Sequence, residues 1–363
     1  MIDLPKKTKK KIVVAMSGGV DSSTVAAMLV AEGHEVIGIT LQLYDVNSVG
    51  LKKGTCCAGI DIYDARNVAE KLGIPHYVLN YESKFKQSVI DKFADSYING
   101  ETPIPCIRCN QTVKFSDLLK MAEDLGADEL ATGHYVRKAI KDGNSEMHRG
   151  CDDKKDQSYF LFATTQKQLD FLSFPLGGYT KEQTRALAKQ YNLETSDKPD
   201  SQDICFVPDG DYKKIIEKLR PGALEKGNIL DIDGKVIGEH NGIINYTIGQ
   251  RRGIGVGGHE PLYVIKIDPK TNSIIVGPEQ YLRKIKFHIT DTNWLIDENM
   301  LQDMEVDVKL RSTHLGCKAK ICKTEDNDVY RVELLEHQRS ITPGQACVVY
   351  YGTRVLGGGW IRS

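Results

Sequence analysis

KIVVAMSGGVDSSTVAAMLVAEG, residues 11–33, changes character twice. KIVVAM (11–16) is a short apolar run rich in β-branched residues, the pattern of a strand buried on both faces. SGGVDSS (17–23) is a Ser/Gly turn, and STVAAMLVAEG then places apolar residues at helical spacing. Strand, glycine turn and helix together open a βαβ unit. Gly18 and Gly19 allow backbone shapes and a close ligand approach that side chains would block. The amides of such a turn, with the positive end of the helix behind it, form a site for an anion. Ser17, Ser22 and Ser23 add hydroxyl donors. The Walker pattern G-x-x-x-x-G-K-[ST] is absent. The simpler alternative is a turn that only caps a helix, and the strand before it argues against that.

Outward from this turn the alternation continues. HEVIGITLQL (34–43) reads as a second strand, DIYDARNVAEKLG (61–73) as an amphipathic helix and IPHYVLN (74–80) as a third strand. Helical stretches follow over about 84–98 and 113–126, then a strand in ADELATGHY (127–135). This order predicts an α/β class with a doubly wound, Rossmann-like parallel sheet that binds ligands at the carboxyl ends of its strands. After Phe206 the pattern changes. A short helix at 213–220 is broken by Pro221-Gly222, and short strands separated by glycine turns follow, with Asp233-Gly234 as a hairpin signal. Two small β-barrel-like domains are expected, split near 280–288. The divisions are 1–210 for the α/β domain that carries the glycine turn, 211–283 for a central β-rich domain and 284–363 for a C-terminal barrel.

With 363 residues, 27% charged and 40% hydrophobic, the chain reads as a multidomain globular protein. Its formal net charge is −1, so a nucleic-acid partner would be held by local basic patches. Arg251 and Arg252, on the glycine-rich loop 246–258, are one candidate, with solvated hairpin charges as the plainer reading. No apolar run approaches the ~18 residues of a membrane span. The leader lacks the pattern of a signal or transit peptide. Nine unevenly spaced cysteines fit a reducing cytoplasm.

Cys106 and Cys109 form a C-x-x-C in the Pro-rich stretch TPIPCIRCNQTVKF (102–115), read as a loop. Such a pair signifies zinc, a redox couple or part of a metal cluster. No second C-x-x-C or H-x₃₋₅-H completes a structural zinc site. Cys151, Cys317, Cys322 and Cys347 read as small buried hydrophobes, and packing or capping is the expectation for Cys56 and Cys57.

The turn S-G-G-V-D-S resembles the PP-loop of the ATP pyrophosphatases, which cleave ATP between the α- and β-phosphates. Over nearly the whole chain the resemblance narrows to the tRNA-specific 2-thiouridylases. It is carried in order by AMSGGVDSS, DARNVAEKLGIPHYVLN, TPIPCIRCNQTVKF, LGADELATGHYVR, DDKKDQSYFL, DSQDICF, YTIGQRRGIGVGG, TPGQA and LGGGWI. The resemblance implies that the loop Ala15, Met16, Ser17, Gly18, Gly19, Val20, Asp21 and Ser22 binds ATP, with Leu41 and Gly133 beside the adenosine. It implies Cys109 as nucleophile and Cys205 as the persulfide carrier. His134, Lys155, Asp156, Gln157, Arg311, Ser312 and Gln345 align with tRNA-contacting positions. The implied reaction is ATP- and Mg²⁺-dependent 2-thiolation of the wobble uridine in a tRNA anticodon stem-loop, with release of AMP and pyrophosphate and with sulfur from a persulfide or sulfide donor protein.

The chain departs from the persulfide pattern P-D-x-x-C, since Cys106 stands at the aspartate and Ile104 at an asparagine position. Cys106, Cys109 and Cys205 could then hold a 4Fe–4S cluster. Alternatively, Cys106 packs or rests in a disulfide while Cys109 and Cys205 run persulfide chemistry. Two other readings stand beside this one. An amide-forming PP-loop ligase would share the ATP loop but has no use for these cysteines, and a non-catalytic tRNA binder would release no pyrophosphate.

Overall fold

A computed structural model describes residues 8–44, 57–200, 204–207, 210–257, 260–326 and 328–362. The chain divides into two compact units, Met1–Lys86 with Cys109–Gln202, and Gln87–Arg108 with Asp203–Ser363.

The first unit is built on a five-stranded sheet. β1 (Lys11–Ala15), β2 (Glu35–Gln42), β3 (His76–Asn80), β4 (Glu129–Ala131) and β7 (Leu172–Ser173) lie in the order β3-β2-β1-β4-β7, all parallel. Val13 faces Ile37 on one side and Leu130 on the other, which fixes β1 at the centre. Ile12, Val13 and Val14 are all buried, as a strand covered on both faces requires. The chain runs outward through β2 and β3, then returns to the far side of β1 at β4. That reversal opens a crevice at the carboxyl ends of β1 and β4.

α1 (Val20–Ala31) packs Val25, Ala26 and Leu29 into a cluster with Ala65, Val68 and Ala69 of α2 (Cys57–Leu72) and Ala188 of α3 (Lys181–Gln190). The many alanines let the helices approach closely, and α1 is buried on most of its surface rather than along one stripe. β5 (Val136–Lys141) and β6 (Asn144–Arg149) form an antiparallel hairpin, which sequence reading left unassigned. Its turn is Asp142-Gly143, both with positive φ, as a two-residue hairpin turn needs.

The second unit holds two β structures. Tyr263–Asp268, Ser273–Gly277, Lys226–Leu230 and Val236–Asn241 make a four-stranded sheet in that order, with one parallel pair. The Asp233-Gly234 turn joins its last two strands as expected. Arg283–Trp294, Tyr330–Arg339, Cys317–Lys323, Val306–Lys309, Ala346–Tyr351 and Arg354–Ile361 follow one another by antiparallel pairing. The last strand pairs with the first and closes a six-stranded barrel around Ile289, Val308, Ile321, Val332 and Val349. In the same unit Asp91–Ile98 is tied to Tyr212–Leu219, since Arg220 pairs with Asp95 at 2.8 Å and Asp91 at 3.6 Å.

Candidate active site

The carboxyl ends of β1, β2 and β4 enclose a cleft of about 220 Å³. Met16, Ile39, Leu41, Leu43 and Leu130 give it an apolar side, suited to a planar base. Ala15, Ser17, Asp21, Ser22 and Gly133 line it where α1 begins. Gly19 is the N-cap of α1 and offers no side-chain cap, so the first amides of the helix are not satisfied from within it. Those amides and the helix dipole favour an anion at this end. The Ser17 amide donates to Ser22 Oγ at 3.1 Å, which shapes the turn.

Two glycines are dictated by contact. Gly18 has φ +72°, and a Cβ there would collide with the Asp61 carbonyl. A Cβ on Gly133 would stand 2.9 Å from the Ser22 nitrogen and 3.0 Å from Asp21 Cβ. Lys198 holds the first corner, donating to Gly18 O at 3.0 Å and Asp61 at 2.6 Å and pairing also with Asp64.

Asp21 sits in an ion network. Lys181 Nζ donates to its two oxygens at 2.8 and 2.9 Å, and Tyr135 OH donates to Oδ1 at 2.7 Å. Lys181 also pairs with Asp200 at 2.8 Å, and Lys155 and Arg185 reach Asp200 at 2.6 and 3.0 Å. Burial works against ionisation of Asp200, but hydrogen bonds from Lys155 and Lys181 outweigh it and hold its carboxyl at about 2. Burial, reinforced by Asp21, raises the Tyr135 phenol, which therefore remains a donor.

The far wall of the cleft comes from Lys114, Phe115 and Leu118, on the π-helical stretch Asn110–Leu118. Such wide turns recur at functional sites. His134 lies edge-on to Phe115 and shares a hydrogen bond with Thr132 Oγ1 at 2.9 Å. Burial first, then the Lys114 charge, pushes its imidazole down to about 3, so it is neutral at physiological pH.

The cysteine pair is not in an irregular loop. Pro105–Cys109 is a short helix with proline at its first position, which places Cys106 and Cys109 one turn apart. Cys106 is exposed, Ile107 is fully buried and Cys109 is 6% exposed. Cys109 is followed directly by the stretch that lines the cleft. In the second unit Cys205 is exposed beside buried Phe206 and Val207. Phe206 is anchored edge-on to Phe93, in a cluster with Tyr97 and Tyr212. Among the described residues no three His, Cys, Asp or Glu side chains are grouped to hold a metal ion. Cys347 is fully buried as expected, Cys317 and Cys322 are half-buried, and Cys151 departs from expectation by being exposed. Cys56 lies outside the described residues.

A family model described as "tRNA methyl transferase HUP domain" matches residues 10–209. Models for the "tRNA methyl transferase PRC-barrel domain" and "Aminomethyltransferase beta-barrel domain" match 213–278 and 284–361. The chain is 62% identical over 362 residues to a protein of Rickettsia felis named tRNA-specific 2-thiouridylase MnmA, covering 99% of each. It is 61% identical to the protein of that name from Rickettsia canadensis, covering 99% of this chain and 98% of the other. The chain belongs to the tRNA-specific 2-thiouridylase family.

The residues that the thiouridylase resemblance aligned with tRNA contacts fall into two groups. Several are engaged inside the protein. Lys155 is paired with Asp200. Asp156 accepts from the amides of Gly150 and Ser158, both at 3.1 Å. Gln157 accepts from the Tyr135 amide at 2.9 Å and lines the cleft. Gln345 donates to Thr102 O at 2.8 Å. Others are presented outward: Arg311 and Ser312 are exposed on a turn that His314 closes through a bond to Arg311 O at 3.0 Å. Arg251 and Arg252, the basic pair read separately on the glycine-rich loop, are also exposed.

Sequence reasoning missed Lys181, Tyr135, Asp200, Lys114 and Lys198. Lys181 had a local signal. It follows Thr180, the N-cap of a capping box with Gln183, and a cation in the first helical turn opposes the helix dipole. A lysine in that position needs nearby anions, and Asp21 and Asp200 supply them.

Proposed function

We propose that this chain catalyses ATP-dependent 2-thiolation of the wobble uridine of tRNA. One observation carries the reading: Cys109 directly precedes the stretch whose Lys114 and Phe115 line the same cleft as Ser17, Asp21 and Ser22, so chain continuity ties the thiol to the wall facing the loop. Residues 1–210 would do the chemistry, with 211–283 and 284–363 presenting the RNA. The base of ATP fits the apolar side of the cleft, between Leu41 and the Gly133 end of β4. Its phosphates meet the amides at the start of α1, and Mg²⁺ arrives with the nucleotide as part of the substrate.

Uracil O2 attacks the α-phosphorus, an O–P bond forms, and the bond to the β-phosphate breaks so that pyrophosphate leaves with the electron pair. The terminal sulfur of a Cys205 persulfide then attacks C2, and AMP departs with the C2–O bond pair. Cys109 thiolate attacks Cys205 Sγ, breaking the S–S bond and leaving its electrons on the sulfur now bound to C2. The resulting Cys109–Cys205 disulfide is reduced by an external dithiol before the next turnover. Thiolates suit both steps. A neutral His134 can donate or accept at the site without adding charge. A protein that delivers persulfide is the implied partner and the cytoplasm the implied compartment. Among the described residues no helix is long and apolar enough to cross a membrane.

For the alternative in which Cys106, Cys109 and Cys205 hold a 4Fe–4S cluster, the described residues show no group of three metal-ligating side chains. The test is mass spectrometry of tRNA treated with protein, MgATP and a persulfide donor. 2-Thiouridine should form with wild type and be lost with Cys109→Ser and Cys205→Ser. Full activity in both variants would refute the roles given to these thiols.

A further inference from the structure

The segment that leads into the cysteine helix belongs to the second unit, and the C-terminal barrel grips it at three points. The Thr102 amide donates to Pro343 O at 2.9 Å, and Gln345 Nε2 donates to Thr102 O at 2.8 Å, so both main-chain groups of Thr102 are held by one barrel loop. Gly344, with φ +84°, makes this approach possible, since a Cβ there would stand 2.9 Å from Glu101 Cβ. That loop is itself fixed to the last strand, because Gln345 O accepts from Ile361 N at 2.8 Å. The third point is Arg108, between the two thiols in sequence. Its guanidinium lies 4.6 Å over the ring of Trp360 on the last strand, and its Nη2 is 3.5 Å from Asp291 Oδ2 on the first. Asp291 has φ +49° where the pairing of the first and last strands shifts register between Thr290 and Asn293. A bulge of this kind re-aims a side chain, and a non-glycine residue in left-handed backbone is strain retained for a reason.

We infer that Arg108, held by Trp360 and Asp291, is a positioning residue for the Cys106/Cys109 helix, and that the barrel sets thiol geometry. This rests on the reading that the pair does thiol chemistry. As a stability device the clamp is poor, because an exposed arginine–aspartate pair adds little. As an orienting device it is well built: a planar guanidinium stacked on a ring and tied at its edge fixes both distance and rotation. Arg108 immediately precedes Cys109, so its restraint acts within the same helical turn.

The test uses the full chain with Arg108→Gln, Trp360→Leu and Trp360→Phe, the last keeping an aromatic face. Three quantities are measured: the alkylation rates of Cys106 and Cys109 by iodoacetamide with peptide mapping, tRNA-dependent pyrophosphate release, and thiolation. Arg108→Gln and Trp360→Leu should speed alkylation of the buried Cys109 by about tenfold. They should slow thiolation by about 10- to 100-fold, since small misplacements of reacting groups have effects of that size. Pyrophosphate release should stay near wild type, and Trp360→Phe should recover most of the protection and the activity. Unchanged Cys109 protection with wild-type thiolation in Arg108→Gln overturns the inference. That substitution is at a partly exposed side chain and does not endanger the fold. Full thiolation by Cys109→Ser would instead overturn the underlying reading, so the two failures are distinct.

Discussion

Replacing Gly18 by alanine isolates the feature on which the nucleotide loop depends. Gly18 and Gly33 both have left-handed backbone, with φ +72° and +86°. Around Gly33 a Cβ meets nothing within 4 Å, whereas at Gly18 it overlaps the carbonyl, C and Cα of Asp61. Gly33→Ala therefore reports strain alone, about 1–2 kcal/mol. Gly18→Ala adds an overlap with main chain that cannot rotate away, a further ~1–3 kcal/mol by analogy with overpacked cores. At roughly 2–4 °C per kcal/mol for a unit of this size, Gly33→Ala should lower the melting temperature by a few degrees and Gly18→Ala by about twice as much. Only Gly18→Ala moves the loop away from the start of α2, so only it should lose ATP affinity, read by isothermal titration calorimetry. Equal melting shifts, or wild-type ATP binding by Gly18→Ala, would refute the claim that Asp61 sets the loop.

Lys181→Met removes the shared cation between Asp21 and Asp200. It should destabilise the protein by on the order of 2–3 kcal/mol, the buried-pair range discounted for partly exposed partners, and should abolish tRNA-dependent AMP formation while tRNA still binds in gel shifts. Asp200 is held at about 2, below its ordinary 3.8. Its contribution to stability is present above 3.8 and lost as pH falls from there towards 2, so Asp200→Asn should flatten that acid limb in urea titrations. His134 is pushed from 6.5 down to about 3. The unfolded chain then takes up a proton that the folded one refuses, and stability falls as pH drops below 6.5. His134→Gln should remove that slope between pH 6.5 and 4.

The front of the chain was legible because buried strands and helix starts leave local marks. KIVVAM, short and rich in β-branched residues, reads as a buried strand, and the glycines at 18 and 19 read as the turn that follows it. The cysteine pair was misread as loop because Pro103 and Pro105 suggest a turn, whereas Pro105 is a helix start. The 136–149 hairpin escaped notice because β5 is mostly exposed and polar, although Asp142-Gly143 marks its turn. Lys181 meets Asp21 across 160 residues, and Gln345 meets Thr102 across 243. Such partners come from the fold and not from spacing, so the internal bonds of Lys155, Asp156, Gln157 and Gln345 could not be read from the sequence.

The most direct measurement of the central claim combines purified protein, a tRNA transcript with a wobble uridine, MgATP and a persulfide donor, with 2-thiouridine, AMP and pyrophosphate counted together. The account predicts one AMP and one pyrophosphate for each 2-thiouridine, all three dependent on tRNA and all three lost with Asp21→Ala. Thiouridine formed without ATP cleavage, or cleavage to ADP and phosphate, would contradict it.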